Sequence, residues 1–133
     1  MLQNMTDAQL YTLINKLLSD PDSVEESLRQ YARDSLFRRR ERIIRNNARY
    51  AQLLTQITDK QALKVSQHES NGYTVNQVFY DKRNVTGNVA VMMVKPQVYD
   101  DISGKVKEKL VVVYSNGEVE GTFAKKINIR KVL

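Results

Sequence analysis

Residues 23–58 read SVEESLRQYARDSLFRRRERIIRNNARYAQLLTQIT, a run with neither glycine nor proline. It follows Pro21 and opens with Ser23-Val24-Glu25-Glu26, a Ser-x-x-Glu capping box that satisfies free N–H groups of a first helical turn. The pattern predicts one helix over 23–58, roughly 50 Å long at full extension. Leu36, Ile43, Tyr50 and Ile57 recur every seven residues, Phe37, Ile44 and Ala51 form a second row beside them, and Leu54 falls on the same side. Together they form an apolar stripe of helical period. Arg38, Arg42, Arg45 and Arg49 are spaced four, three and four apart, so they line up as a basic ridge on the far side. Arg40 and Asn47 fall in or near the apolar stripe. Arg39, Asn46 and Lys60 occupy positions that a leucine zipper would fill with apolar residues.

The window from Arg29 to Arg49 holds eight arginines against Asp34 and Glu41, a net +6 that equals the formal charge of the whole chain. Such a ridge can be a solvated helix face whose long stems cover apolar neighbours. It can also be a polyanion-binding surface, because clustered arginines gain from release of phosphate counterions. An acidic protein surface is a third partner of the same chemistry. One acidic surface lies inside the chain: residues 1–28 set Lys16 against Asp7, Asp20, Asp22, Glu25 and Glu26, and pairing with it would occupy part of the ridge.

The 133 residues suit one domain, or a domain with a helical arm, and 41% hydrophobic content supports a real core. The absence of cysteine removes disulfides, thiol nucleophiles and cysteine-based zinc sites, and fits a cytoplasmic protein. No apolar run reaches membrane-spanning length, and Met1-Leu2-Gln3-Asn4 does not begin a secretory signal.

Taken in order, Thr6 can cap a short helix over 7–18 whose apolar face is Leu10, Ile14, Leu17 and Leu18, with Leu13 at its edge. Ser19-Asp20-Pro21-Asp22 breaks the chain before the long helix, giving a helical hairpin within a helical region spanning 1–65. Asp59 to Val65 reads as a fading extension, and residues 66–72 as a polar connection ending in Gly72. From Tyr73 the period becomes that of strands, defining an antiparallel β region over 73–133. Val89-Ala90-Val91-Met92-Met93-Val94 is apolar on both faces, as in a strand covered on both sides or by an assembly partner. Pro96 is expected to end it, with Val98, Tyr99 and Ile102 adding a short edge strand. Asn116-Gly117 predicts a two-residue hairpin turn with positive φ at both positions. Ile127-Asn128-Ile129 alternates as a last strand. The fold class is therefore α+β: a helical hairpin with one long basic helix, then a small antiparallel sheet or partly closed barrel of four or five strands.

Chemistry beyond binding finds little support. Arg45-Asn46-Asn47-Ala48-Arg49 has the flavour of a leucine-zipper basic region, but Leu54 and Thr55 stand where the next arginine is required. The chain lacks a glycine-rich phosphate loop, a nucleophile elbow and a His-Glu-x-x-His helix. His68 is the sole histidine. Asp100-Asp101 with Ser103 reads as a polar turn, and Glu118 and Glu120 as solvent-facing strand residues. Tyr73, Tyr80, Tyr99 and Tyr114 accompany the basic tail and can either stack on bases or pack. The expectation is a non-enzymatic protein without cofactor or metal, binding nucleic acid or another polyanion through Arg38, Arg39, Arg42, Arg45 and Arg49, helped by Lys125, Lys126, Arg130 and Lys131. Leu36, Ile43, Tyr50, Leu54 and Ile57 form a core or oligomer interface. The alternative is a structural subunit of a homo- or hetero-oligomeric assembly, such as a virion component, with the long helix and sheet as interfaces.

Overall fold

A computed structural model describes residues 5–81 and 88–123. The predicted last strand at 127–129 and the basic tail residues Lys125, Lys126, Arg130 and Lys131 lie outside the described residues. The elements are α1 (Asp7–Ser19), a 3-10 turn (Pro21–Ser23), α2 (Glu26–Asn46), a second 3-10 turn (Ala48–Tyr50), α3 (Ala51–Leu54), α4 (Asp59–Ser70), β1 (Thr74–Tyr80), β2 (Val89–Asp100), β3 (Lys105–Val113) and β4 (Val119–Phe123). The fold is α+β, with the strands in an open antiparallel meander ordered β1-β2-β3-β4.

The single rod over 23–58 does not form. Its predicted capping box is dismantled at the start: Ser23 sits in the Pro21 turn and donates its hydroxyl to the Asp20 carbonyl at 2.8 Å. Val24 is extended and buried, so α2 begins only at Glu26, with Glu25 as a cap residue whose side chain makes no capping bond. The rod also ends early, at Asn46. Asn47 leaves helical geometry (φ −130°, ψ 53°), and its amide Nδ2 donates back to the Ile43 carbonyl at 2.9 Å. An asparagine that hydrogen-bonds a nearby carbonyl offers the backbone an alternative to the next helical turn. Beyond it the chain bends, and Leu54 and Ile57 enter the core from α3 and the following loop rather than from one continuous stripe.

A new helix then starts where a fading extension was expected. Thr58 accepts from the Gln61 N–H at 3.1 Å while Gln61 Oε1 accepts from the Thr58 N–H at 2.9 Å, a complete capping box for α4. Arg40 fastens this start to α2. Its Nη1 donates to the Ile57 carbonyl at 2.6 Å and its Nη2 pairs with Asp59 at 2.8 Å. At α1 the expected Thr6 cap is present, again as a box, with Gln9.

The helices form one layer on one face of the sheet. Ile14, Leu17, Ala32, Leu36, Ile43, Leu54, Ile57, Ala62, Leu63 and Val65 share a cluster with Val78, Val89, Val91, Met93, Val111 and Val113. The two-faced character of residues 89–94 is real. Ala90 and Met92 point the other way and form a second buried cluster with Phe79, Val112 and Tyr114. Tyr50 and Leu53 are half-buried against the main core; in the second heptad row Ile44 packs there too and Ala51 is half-buried, whereas Phe37 is 59% exposed.

Two strand expectations change. Pro96 does not end β2: the strand runs on to Asp100 across a bulge between Lys95 and Val98, where Gln97 takes φ 58°. A bulge is one of the few places a sheet accepts proline. At the β3–β4 connection only Gly117 takes positive φ (85°), and Asn116 instead accepts from the Glu118 N–H at 2.9 Å. Tyr114 and Glu118 close a three-residue loop, a turn with a single left-handed position that glycine fills.

Gln61 joins the two layers. It is fully buried, and Nε2 donates to the carbonyls of Val89 at 2.6 Å and Val113 at 3.1 Å while Oε1 serves the α4 cap. Gln61→Met keeps the volume and strands these groups. It is expected to cost about 2–4 kcal/mol in urea unfolding, from buried unsatisfied carbonyls and a lost cap; a cost below about 1 kcal/mol would contradict the role.

Candidate anion-binding cleft

The ridge is realised in part. Arg38, Arg42 and Arg45 lie at i, i+4 and i+7 on α2, are exposed, and line one cleft of about 460 Å³ with Ser35, Arg39 and Glu41. Arg49 lies past the end of α2, outside this lining, with its guanidinium 5.7 Å from the centre of its neighbour Tyr50's ring. Every Asp and Glu of the chain falls among the described residues. Among the described residues the ion pairs include Arg40–Asp59 and Lys107–Asp100, neither of which involves the cleft. Neither pair joins the acidic N-terminal segment to Arg38, Arg42, Arg45 or Arg49.

Arg39 departs most from expectation. It is not on the ridge but beneath it, 9% exposed, on the stripe that also buries Ala32, Ser35, Leu36 and Ile43. A buried guanidinium costs several kcal/mol unless its donors are met. Here Nη1 donates to Ser66 Oγ at 2.7 Å and to Tyr11 Oη at 3.1 Å, and Nε makes a longer contact with Ser35 Oγ at 3.4 Å. Its carbon centre also lies 4.6 Å from the Tyr11 ring centroid, a cation–π geometry. All of these partners are neutral. Among the described residues no buried side-chain nitrogen lacks a partner, so Nη2, which makes no hydrogen bond, keeps contact with solvent, and Arg39 is one of the residues lining the cleft.

α1 supplies Tyr11, and α4 supplies Ser66 and Ser70, to the hydroxyl cluster around Arg39. Tyr11 Oη also meets Ser70 Oγ at 3.1 Å. Burial pushes the Tyr11 phenol up, but the hydrogen bonds with Ser70 and Ser66 and the Arg39 charge outweigh it and leave the phenol below its ordinary value. On the same helix, burial holds the Glu69 carboxyl above its ordinary value, and the nearby charge of Arg42 offsets only part of that rise.

Other candidate residues find structural work. His68 Nδ1 lies 2.8 Å from the Lys64 carbonyl, and its ring meets Tyr73 edge-on. Asp100 accepts from the Ile102 N–H and pairs with Lys107, closing the β2–β3 turn. Glu120 accepts from the Tyr114 hydroxyl at 2.8 Å. No cluster of three potential metal ligands occurs among the described residues. The four tyrosines do not make a stacking platform: Tyr114 is buried, Tyr73 half-buried, and Tyr80 binds Gln56 from the helical side. The hydroxyl cluster under Arg39 is what sequence reasoning missed. Its one visible signal is the spacing Ala32, Leu36, Arg39, Ile43, which places an arginine on a buried helical stripe.

The Glu69 shift carries a pH signature. A folded-state value raised above about 4.3 favours the neutral carboxyl, so its stabilising contribution is present below that pH and is lost as pH rises through the folded value. Glu69→Gln is therefore expected to raise the melting temperature at pH 7 and leave it nearly unchanged near pH 3.5. An equal gain at both pH values would assign the effect to packing instead. Compared with protein families, curated proteins and solved structures, the chain matches none, and the chemistry of the cleft is the guide to its function.

Proposed function

We propose that the protein is a non-enzymatic binding protein that holds nucleic acid, or another phosphate-bearing polyanion, against α2. The observation that carries this reading is the convergence of Arg38, Arg42 and Arg45 on one cleft that holds a single carboxylate, Glu41. A concave, low-dielectric wall focuses such charge and raises the local concentration of an anionic partner. The planar guanidinium fork matches phosphate oxygens two at a time. Contacts of this kind position a backbone and carry little base preference. Arg49, exposed just past the end of α2, adds positive charge where a longer ligand reaches it.

A distinct observation favours a structural subunit of a larger assembly. Tyr99 and Val106 oppose each other across the outer β2–β3 hairpin, each 61% exposed, and Ile102 at its tip is 89% exposed. Exposed apolar groups gathered at one end of a hairpin suit a protein contact. Under this reading, a Tyr99→Ser, Ile102→Ser double variant lowers the native mass measured by sedimentation. A wild-type chain that is strictly monomeric across the micromolar range removes it.

The polyanion reading is tested by anisotropy titration of a labelled single-stranded oligonucleotide against salt. Three phosphate contacts give a slope of log affinity on log salt of about −2 to −3, and Arg42→Ala reduces its magnitude by somewhat less than one. A slope near zero rules the reading out.

A further inference from the structure

The cleft has a shape and charge unlike those of a backbone track. A strand of internal phosphodiesters offers single negative charges in a row, and is met by cations spread along a surface. Here four arginines, Arg38, Arg39, Arg42 and Arg45, line one concavity with the hydroxyl-bearing Ser35 and a single acid, Glu41. The next arginine in line, Arg49, lies beyond the end of α2 and outside it. All six lining residues belong to α2, so the concavity, of about 460 Å³, is an open depression between side chains of one helix. Arg38 to Arg45 span only about 10 Å of helix axis. The floor is fixed before any ligand arrives. Arg39 is held by Tyr11, Ser35 and Ser66 with Nη2 open to solvent, and its charge is met inside the protein by hydroxyls alone. A preset donor spares the ordering cost of binding. A phosphate monoester, with a charge of about −1.5 to −2 at neutral pH and three free oxygens, answers this donor set better than a diester does.

We infer that the cleft over Arg39 is a phosphomonoester pocket that takes the phosphorylated end of a nucleic acid strand. This rests on the polyanion reading and narrows it to strand termini. A phosphomonoester can also come from a free nucleotide, and the two sources separate in the test.

Three single-stranded oligonucleotides of one sequence, phosphorylated at the 5′ end, at the 3′ end or at neither, are titrated at constant salt, with the corresponding nucleoside monophosphate as competitor. The expected result is at least about tenfold tighter binding of one phosphorylated strand, the size of one added charge-assisted hydrogen bond, and weak competition by the mononucleotide. Arg39→Lys, which keeps the charge and loses the fork, is expected to abolish that preference, so that the three strands bind alike. Circular dichroism checks that this variant folds; if it does not, the exposed Arg42→Gln must reduce the preference in its place. Equal affinity for all three strands overturns the pocket and leaves the broader polyanion reading standing. Competition by the mononucleotide at the affinity of the phosphorylated strand overturns the assignment to strand ends. Failure of every strand to bind removes both.

Discussion

One buried amide holds the two layers in register. The carbonyl of Gln61 closes the first turn of α4, and its NH₂ reaches the carbonyls of Val89 and Val113, on neighbouring β2 and β3. The helix start and the end of the strand pair are therefore fixed by one side chain. Because all of these groups are removed from water, a shift of α4 along the sheet would leave buried dipoles unmatched. Hydrophobic contact supplies most of the attraction between the layers but is indifferent to small slides. The amide supplies the directionality that Leu63, Val65, Met93 and Val111 cannot.

With α4 fixed, the position of α2 follows. Arg40 ties α2 to the loop and first turn of α4, and Arg39 reaches Ser66 in the middle of α4 and Tyr11 on α1. Adjacent arginines on one helix thus do different work: one bridges to an exposed carboxylate, the other sits under the surface among hydroxyls. The same arrangement orients the remaining arginines. Since the side facing α1 and α4 is taken up by Ala32, Leu36, Arg39 and Ile43, the residues at 38, 42 and 45 are left on the outer flank.

How much of this was legible varies with the kind of signal. The helical half, the strand half and the both-faced apolar character of residues 89–94 follow from residue periodicity, which reports burial directly. The end of α2 did not, because the row Leu36, Ile43, Tyr50, Ile57 keeps its spacing whether or not the backbone between those residues stays helical. Ile57 is buried as the row implies, yet it arrives after a break at Asn47. Capping signatures proved ambiguous for a related reason. Ser23-x-x-Glu26 and Thr58-x-x-Gln61 share one pattern, but Pro21 commits Ser23 to a preceding turn, while the Thr58 hydroxyl donates to the Ser115 carbonyl and still accepts from the Gln61 N–H. For the site, the clustering of arginines was plain in the sequence. The burial of one of them was not, since its two closest hydroxyl partners lie on other helices, 27 and 28 positions away.

The early end of α2 also gives the cleft a polarity. The carbonyl end of a helix carries roughly half a negative charge, felt over its last turn. Arg45 stands in that turn, whereas Arg38 stands in the body of the helix. The field inside the cleft is therefore graded rather than uniform, weaker toward Asn46 and stronger toward Ser35. An anion entering it has a favoured end at which to rest, and an extended ligand has a preferred direction in which to lie.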